Sequence, residues 1–143
     1  MNKIIGFENE FEIISKSLIE NKLNNSILIN GNKGIGKFLF INKLIEYYIN
    51  SIINSENLNH HLSLFRNNSH PNIKILKRNI DEKTNKINNN ITIGQIRELN
   101  HFFIETSIYE NFPKFILIDS ADDLNQSSAN AILKILEEPK KNT

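Results

Sequence analysis

Gly31-Asn32-Lys33-Gly34-Ile35-Gly36-Lys37 has the glycine and lysine spacing of a loop that wraps a phosphate chain. In such a loop Gly31, Gly34 and Gly36 let backbone N–H groups turn toward the anion. The helix that follows adds the positive end of its dipole, and Lys37 reaches the terminal phosphates. The same residues also fit a glycine turn with no ligand. The apolar run Ser26-Ile27-Leu28-Ile29-Asn30 before the loop and the helical spacing after it favour the phosphate loop. Nucleotide-hydrolysing loops place Ser or Thr after the lysine, where its hydroxyl binds Mg²⁺. This chain has Phe38 there, and a phenyl ring cannot coordinate magnesium.

Asp119 closes a second apolar run, 115–118, where a magnesium-binding carboxylate stands at the tip of a neighbouring strand. The acidic residue that would polarise the attacking water is replaced by Ser120. Asp119, Asp122 and Asp123 also fit as caps of the coming helix, a role that suits Asp122 and Asp123 better and Asp119 less. Losing both a magnesium ligand and a water-polarising carboxylate removes the positioning and electrostatics that phosphoryl transfer depends on, so no useful ATP hydrolysis is expected. No cofactor is required on this reading. Weak binding of ATP or ADP without turnover stays open, because the backbone cradle and Lys37 remain. His60, His61 and His70 read as solvated loop histidines rather than as a metal site, and no metal ligands are assigned. Lys74, Lys77, Arg78, Lys83 and Lys86, tempered by Asp81 and Glu82, form a mildly basic segment. It reads as solvated surface first and as a DNA contact second.

These residues need a framework to hold them. Phe7, Phe11, Ile14 and Leu18 share one face of a helix over roughly residues 8–21, and Phe38, Ile41, Ile45, Tyr48, Ile49 and Ile52 share another. Residues 50–71 read as a helical tail and then loop. Ile73, Ile75 and Leu76 mark a strand within 72–77, and residues 78–90 read as a polar hairpin or loop. Thr92 is placed to cap a helix carrying Ile93, Ile96, Leu99, Phe102 and Phe103. Pro113-Lys114 leads into the strand at 115–118. The last helix carries Ala129, Ile132, Leu133 and Leu136 and is stopped by Pro139. Strands alternating with helices define an α/β fold with a parallel sheet, whose ligands sit at the carboxyl ends of the strands.

The 143 residues suffice for about one domain. Seventeen Lys+Arg against 16 Asp+Glu leave a net charge of +1, too little for a global field toward nucleic acid or an anionic membrane. The absence of Cys excludes disulfides and thiolate zinc and fits a reducing compartment. No apolar run approaches the ~20 residues of a membrane span, and the start at Met1 lacks a signal peptide's pattern, so a cytoplasmic location is expected. The 25 Asn, 26 Ile and 14 Lys beside 3 Arg and no Val read as A/T-rich coding bias, which dilutes the meaning of any one surface Asn or Lys.

Asn130-Ala131-Ile132-Leu133-Lys134-Ile135-Leu136-Glu137-Glu138-Pro139 resembles the last-helix signature of clamp-loader AAA+ subunits. Residues 118–125 are similar to the degenerate second magnesium element of the bacterial delta-prime subunits of DNA polymerase III. Ile96-Arg97-Glu98-Leu99 resembles their IREL helix, and His70-Pro71-Asn72 their histidine-proline-acid turn with Asn in place of the acid. Ile5-Gly6-Phe7-Glu8 resembles their opening segment, which approaches the nucleotide base. The resemblance implies a P-loop AAA+ three-layer parallel sheet with helices on both faces. It also implies that residues 1–143 are the N-terminal part of that domain, without the C-terminal strands, lid and collar. In that sheet the fourth strand separates the first from the third, so strands 26–30 and 114–118 would lack a direct partner. The implied role is that of a non-hydrolysing, stator-like subunit of the DNA polymerase III holoenzyme, a DNA-directed DNA polymerase. The implied partners are the gamma or tau and delta subunits, with the sliding clamp and primed DNA met through the complex. Gly31, Gly34, Gly36, Lys37 and Asp119 would form a vestigial nucleotide site. The four-cysteine zinc module of many relatives is not expected here. A small active P-loop ATPase and a non-functional remnant are the competing readings.

Overall fold

The computed structural model describes residues 6–81, 84–104, 109 and 112–138. Met1, Ile5, Glu82, Lys83 and Pro139, which figure in the readings above, lie outside them. The chain divides into two compact units, Met1–Arg66 and Asn67–Thr143.

The first unit is helical: α1 (Glu8–Ile19), α2 (Lys37–Ile52) and α3 (Ser55–Arg66). Phe40, Leu44, Ile45, Tyr48 and Ile49 are the buried residues of α2. The expected stripe is therefore turned, with Phe40 and Leu44 inside and Ile52 at the exposed end. Phe7 and Phe11 of the α1 side meet the Phe40 ring edge-on, with centroids 6.3 and 5.8 Å apart. Such geometry aligns the positive ring edge with a neighbouring π face. Residues 55–66 are a helix rather than a loop, because Leu58, Leu62 and Phe65 repeat at helical spacing and bury Leu62 and Phe65. This corrects the reading of the histidines. His61 is buried on α3, and His70 is buried in the second unit, so neither is a solvated loop residue. At the end of α3, Arg66 Nε donates to Glu46 Oε1 (3.1 Å) while Lys43 donates to Glu46 Oε2 (3.0 Å). Burial alone would raise the Glu46 carboxyl, but the bonds and charges of Lys43 and Arg66 outweigh it and hold the group below its ordinary value.

Burial, and secondarily the charge of His60, hold the His61 imidazole below its ordinary value. The unfolded chain therefore binds more protons than the folded one from about pH 6.5 downward, so stability is complete above that pH and falls as acid is added. Thermal unfolding followed from about pH 8 to about pH 5 is expected to show that loss, and His61→Phe is expected to flatten it. An unchanged slope in the variant would assign the loss to another group.

The strand expected at 26–30 is not part of a ladder among the described residues. Among the described residues its own unit offers no second strand, and a lone strand leaves its N–H and C=O groups to water. Ile27 and Leu28 are accordingly 50% and 82% exposed.

The second unit is α/β. β1 (Ile73–Leu76) runs parallel to β2 (Phe115–Ile118) in the register Ile73 with Phe115 through Leu76 with Ile118. Phe115 N–H donating to Asn72 O and Asp119 N–H donating to Leu76 O extend the pairing at both ends. The strand at 115–118 thus has a direct partner, contrary to expectation. β1 leads through α4 (Ile93–Ile104) to β2, and a 3-10 turn at Ala121–Asp123 precedes α5 (Gln126–Glu137). Leu76, Ile91, Ile96, Leu99 and Ile132 form the core, with Ile116, Ile118, Ala131 and Ile135 packed against it.

Thr92 caps α4 as expected, and the cap is reciprocal. Gln95 N–H donates to Thr92 Oγ1 (3.4 Å) and Thr92 N–H to Gln95 Oε1 (3.0 Å). Gln95 Nε2 also donates to Lys77 O, tying the helix start to the end of β1. Ile80 and Ile87 are joined by an antiparallel bridge, and Asn88 N–H donates to Asn79 O (2.8 Å) beside it. On α5 the buried face differs from the expected one: Ser128 and Ile132 turn inward while Leu133 and Leu136 are about half exposed. The reason is Ser128, whose hydroxyl donates to Ile91 O at 2.7 Å and fixes the rotation of the helix.

Candidate phosphate-binding loop

Gly34 (φ +87°) and Gly36 (φ +94°) occupy left-handed backbone where an L side chain is strained. A Cβ at either position would meet no atom within 4 Å, so the demand for glycine there is conformational rather than one of space. Gly36 is the N-cap of α2 and has no side chain to cap the helix; its carbonyl accepts from Phe40 N–H (2.9 Å). The first turn of α2 carries no acidic residue, so the free amides and the positive dipole end face the loop without an internal counter-charge. Lys37 folds back across the loop and donates from Nζ to Gly31 O (2.6 Å) and Asn32 O (3.0 Å). Gly31 N–H donates to the Asn30 side-chain Oδ1 (2.8 Å). To hold a phosphate chain, Lys37 would exchange carbonyl partners for phosphate oxygens, a trade of neutral acceptors for charged ones. The loop residues therefore fit a phosphate. They do not fit the magnesium that accompanies hydrolysis, since Phe38 offers only its ring, and its carbonyl is engaged by Asn42 Nδ2 (2.8 Å).

Asp119 stands at the end of β2 with its side chain exposed, and it belongs to the second unit whereas the loop belongs to the first. Gly31, Gly34, Gly36 and Lys37 come together in one loop. Asp122 and Asp123 do not cap α5. That place is taken by Asn125, whose Oδ1 accepts from Ser128 N–H (2.9 Å). Asp123 instead pairs with Arg78 (3.1 Å) in the turn before the helix. Lys74 lies 3.8 Å from Glu98, so two cations of the basic segment have acidic partners within the unit. Among the described residues no group of His, Cys, Asp and Glu is arranged to hold a metal ion, and no helix is long and apolar enough to cross a membrane.

Sequence reasoning missed the role of Asn72. It is fully buried just before β1, its N–H donates to His70 Nδ1 (3.1 Å), and its Nδ2 donates to Phe112 O (2.6 Å), joining the turn before β1 to the approach of β2. Its place in the histidine-proline turn was the available signal.

Parallel pairing of β1 with β2 across an intervening helix, with loops at the carboxyl ends of the strands, defines an α/β protein. The chain belongs to the family described as "DNA polymerase III, delta subunit", whose pattern matches residues 7–143, a clamp-loader-type domain of DNA polymerase III. No curated protein matches the chain.

Proposed function

We propose that this chain is a delta-prime-like, stator-type member of the DNA polymerase III clamp loader, acting in the cytoplasm through protein partners rather than through its own ATP hydrolysis. Residues 1–143 are read as the N-terminal part of an AAA+ domain, in which β1 and β2 belong to a larger three-layer parallel sheet. The partners are the gamma or tau and delta subunits, with the sliding clamp and primed DNA reached through the assembled complex. Gly31, Gly34, Gly36 and Lys37 are a vestigial nucleotide site that holds ATP or ADP weakly. The observation that carries this reading is Phe38 directly after the loop lysine, at the position where a hydroxyl would bind Mg²⁺.

Two measurements test it on the intact chain. Phosphate release from ATP with magnesium is expected to stay at background in both the wild type and Lys37→Ala. Turnover that vanishes in Lys37→Ala would instead establish an active P-loop ATPase. Immobilised gamma or tau subunit is expected to retain the chain, and failure to do so would favour a remnant without function.

A further inference from the structure

We propose that Asn30 is a site of spontaneous deamidation, driven by attack of the Gly31 backbone nitrogen on the Asn30 side-chain amide, and that the modification switches off the loop it borders. Of the 25 Asn in the chain, Asn30 alone precedes a glycine. Without a Cβ on the next residue, nothing shields that residue's nitrogen from the amide carbon. The structure adds proximity: Gly31 N–H already donates to Asn30 Oδ1 at 2.8 Å, so the nucleophile sits against the group it attacks, and both residues are exposed to water. Other asparagines are held differently. The Asn72 amide is buried and donates to Phe112 O, and the Asn125 amide caps a helix.

The step balances without any oxidant or reductant. The Gly31 nitrogen gives its proton to base and bonds to the Asn30 Cγ. Nδ2 leaves as ammonia, and a five-membered succinimide remains. Water then adds to one of the two ring carbonyls, opening the ring to Asp or to isoaspartate. The net change is an amide plus water becoming a carboxylate plus ammonium.

Either product alters the loop where Lys37 grips it, since Lys37 Nζ donates to Gly31 O. A carboxylate at residue 30 places a negative charge at the mouth of the cradle, where it repels a phosphate. Isoaspartate also lengthens the main chain by a methylene immediately before Gly31. This consequence rests on the phosphate-binding reading above; the chemical step does not.

The test holds the intact chain at mildly alkaline pH and maps its tryptic peptides over time. Cleavage after Lys22 and Lys33 isolates residues 23–33. A mass gain of about 1 Da at residue 30 is expected, located by fragmentation and absent in Asn30→Gln. Asn30 should convert at least about tenfold faster than Asn25, which precedes Ser26, in the same peptide. Its rate should lie within about threefold of that in the isolated peptide, because an exposed loop does not protect it. Asn30 converting no faster than Asn25, or far more slowly than in the free peptide, would overturn the proposal. Adding inorganic pyrophosphate separates the two readings. Slower conversion supports both, whereas unchanged rapid conversion keeps the modification site and counts against phosphate binding.

Discussion

Replacing Leu99 by Ala is expected to destabilise the second unit by about 3 kcal/mol. Leu99 is fully buried on α4 in the cluster with Leu76, Ile91, Ile96 and Ile132. Truncation removes three heavy atoms from a space that the four other buried side chains define, and neither the paired strands nor the capped helix can move far enough to refill it. Leu133→Ala on α5 is the matched control. Its side chain is 52% exposed, so a change within about 0.5 kcal/mol is expected. Urea unfolding of both variants checks the pair through the midpoint at constant slope. Equal losses would mean that the core has been assigned to the wrong residues.

The second large effect is expected at a polar residue. Asn72→Leu should cost about 2 kcal/mol, because Phe112 O, which accepts from Asn72 Nδ2, would be left buried without that donor. Asn72→Asp should cost more at neutral pH, since an ionised carboxylate would face that carbonyl in a buried site with no charge partner supplied by the substitution. The ranking wild type, Leu, Asp is read from thermal unfolding at neutral pH. An Asp variant as stable as the wild type would show that the amide is not acting as a donor there.

How well each element could be read from the residues depends on where its partners lie. α1, α4 and the strands at 73–76 and 115–118 follow from the local apolar pattern, and so does the existence of α2, though only Ile45, Tyr48 and Ile49 of its expected stripe are buried. Thr92 was readable for the same reason, because a cap acts within one turn. α3 is hard to read because polar Asn59, His60, His61 and Ser63 fall between Leu58, Leu62 and Phe65, although those three carry the helical spacing. The inward face of α5 was misassigned because apolar residues surround it on more than one side. The deciding bond, from Ser128 to Ile91 O, spans 37 residues, and no local pattern announces it. The strand at 26–30 failed for the converse reason: its sequence suits a ladder, but a ladder needs a second strand beside it. At the loop, Gly34 and Gly36 were readable from glycine spacing alone, whereas the engagement of Lys37 with Gly31 O and Asn32 O depends on a backbone path that spacing does not encode.

The stretch at 26–30 also bears on solubility. Three consecutive branched aliphatic residues, Ile27, Leu28 and Ile29, carry no charge and stand outside any ladder among the described residues, which makes them a template onto which an extended segment of another chain can add. Lys22 and Lys33 flank the stretch, Asn24 and Asn25 precede it, and Gly31 breaks it after Asn30. Charges and a breaker in those positions act as gatekeepers against edge-to-edge association. Gly31, the first glycine of the loop, thus also bounds an apolar segment of the first unit that is open to self-assembly.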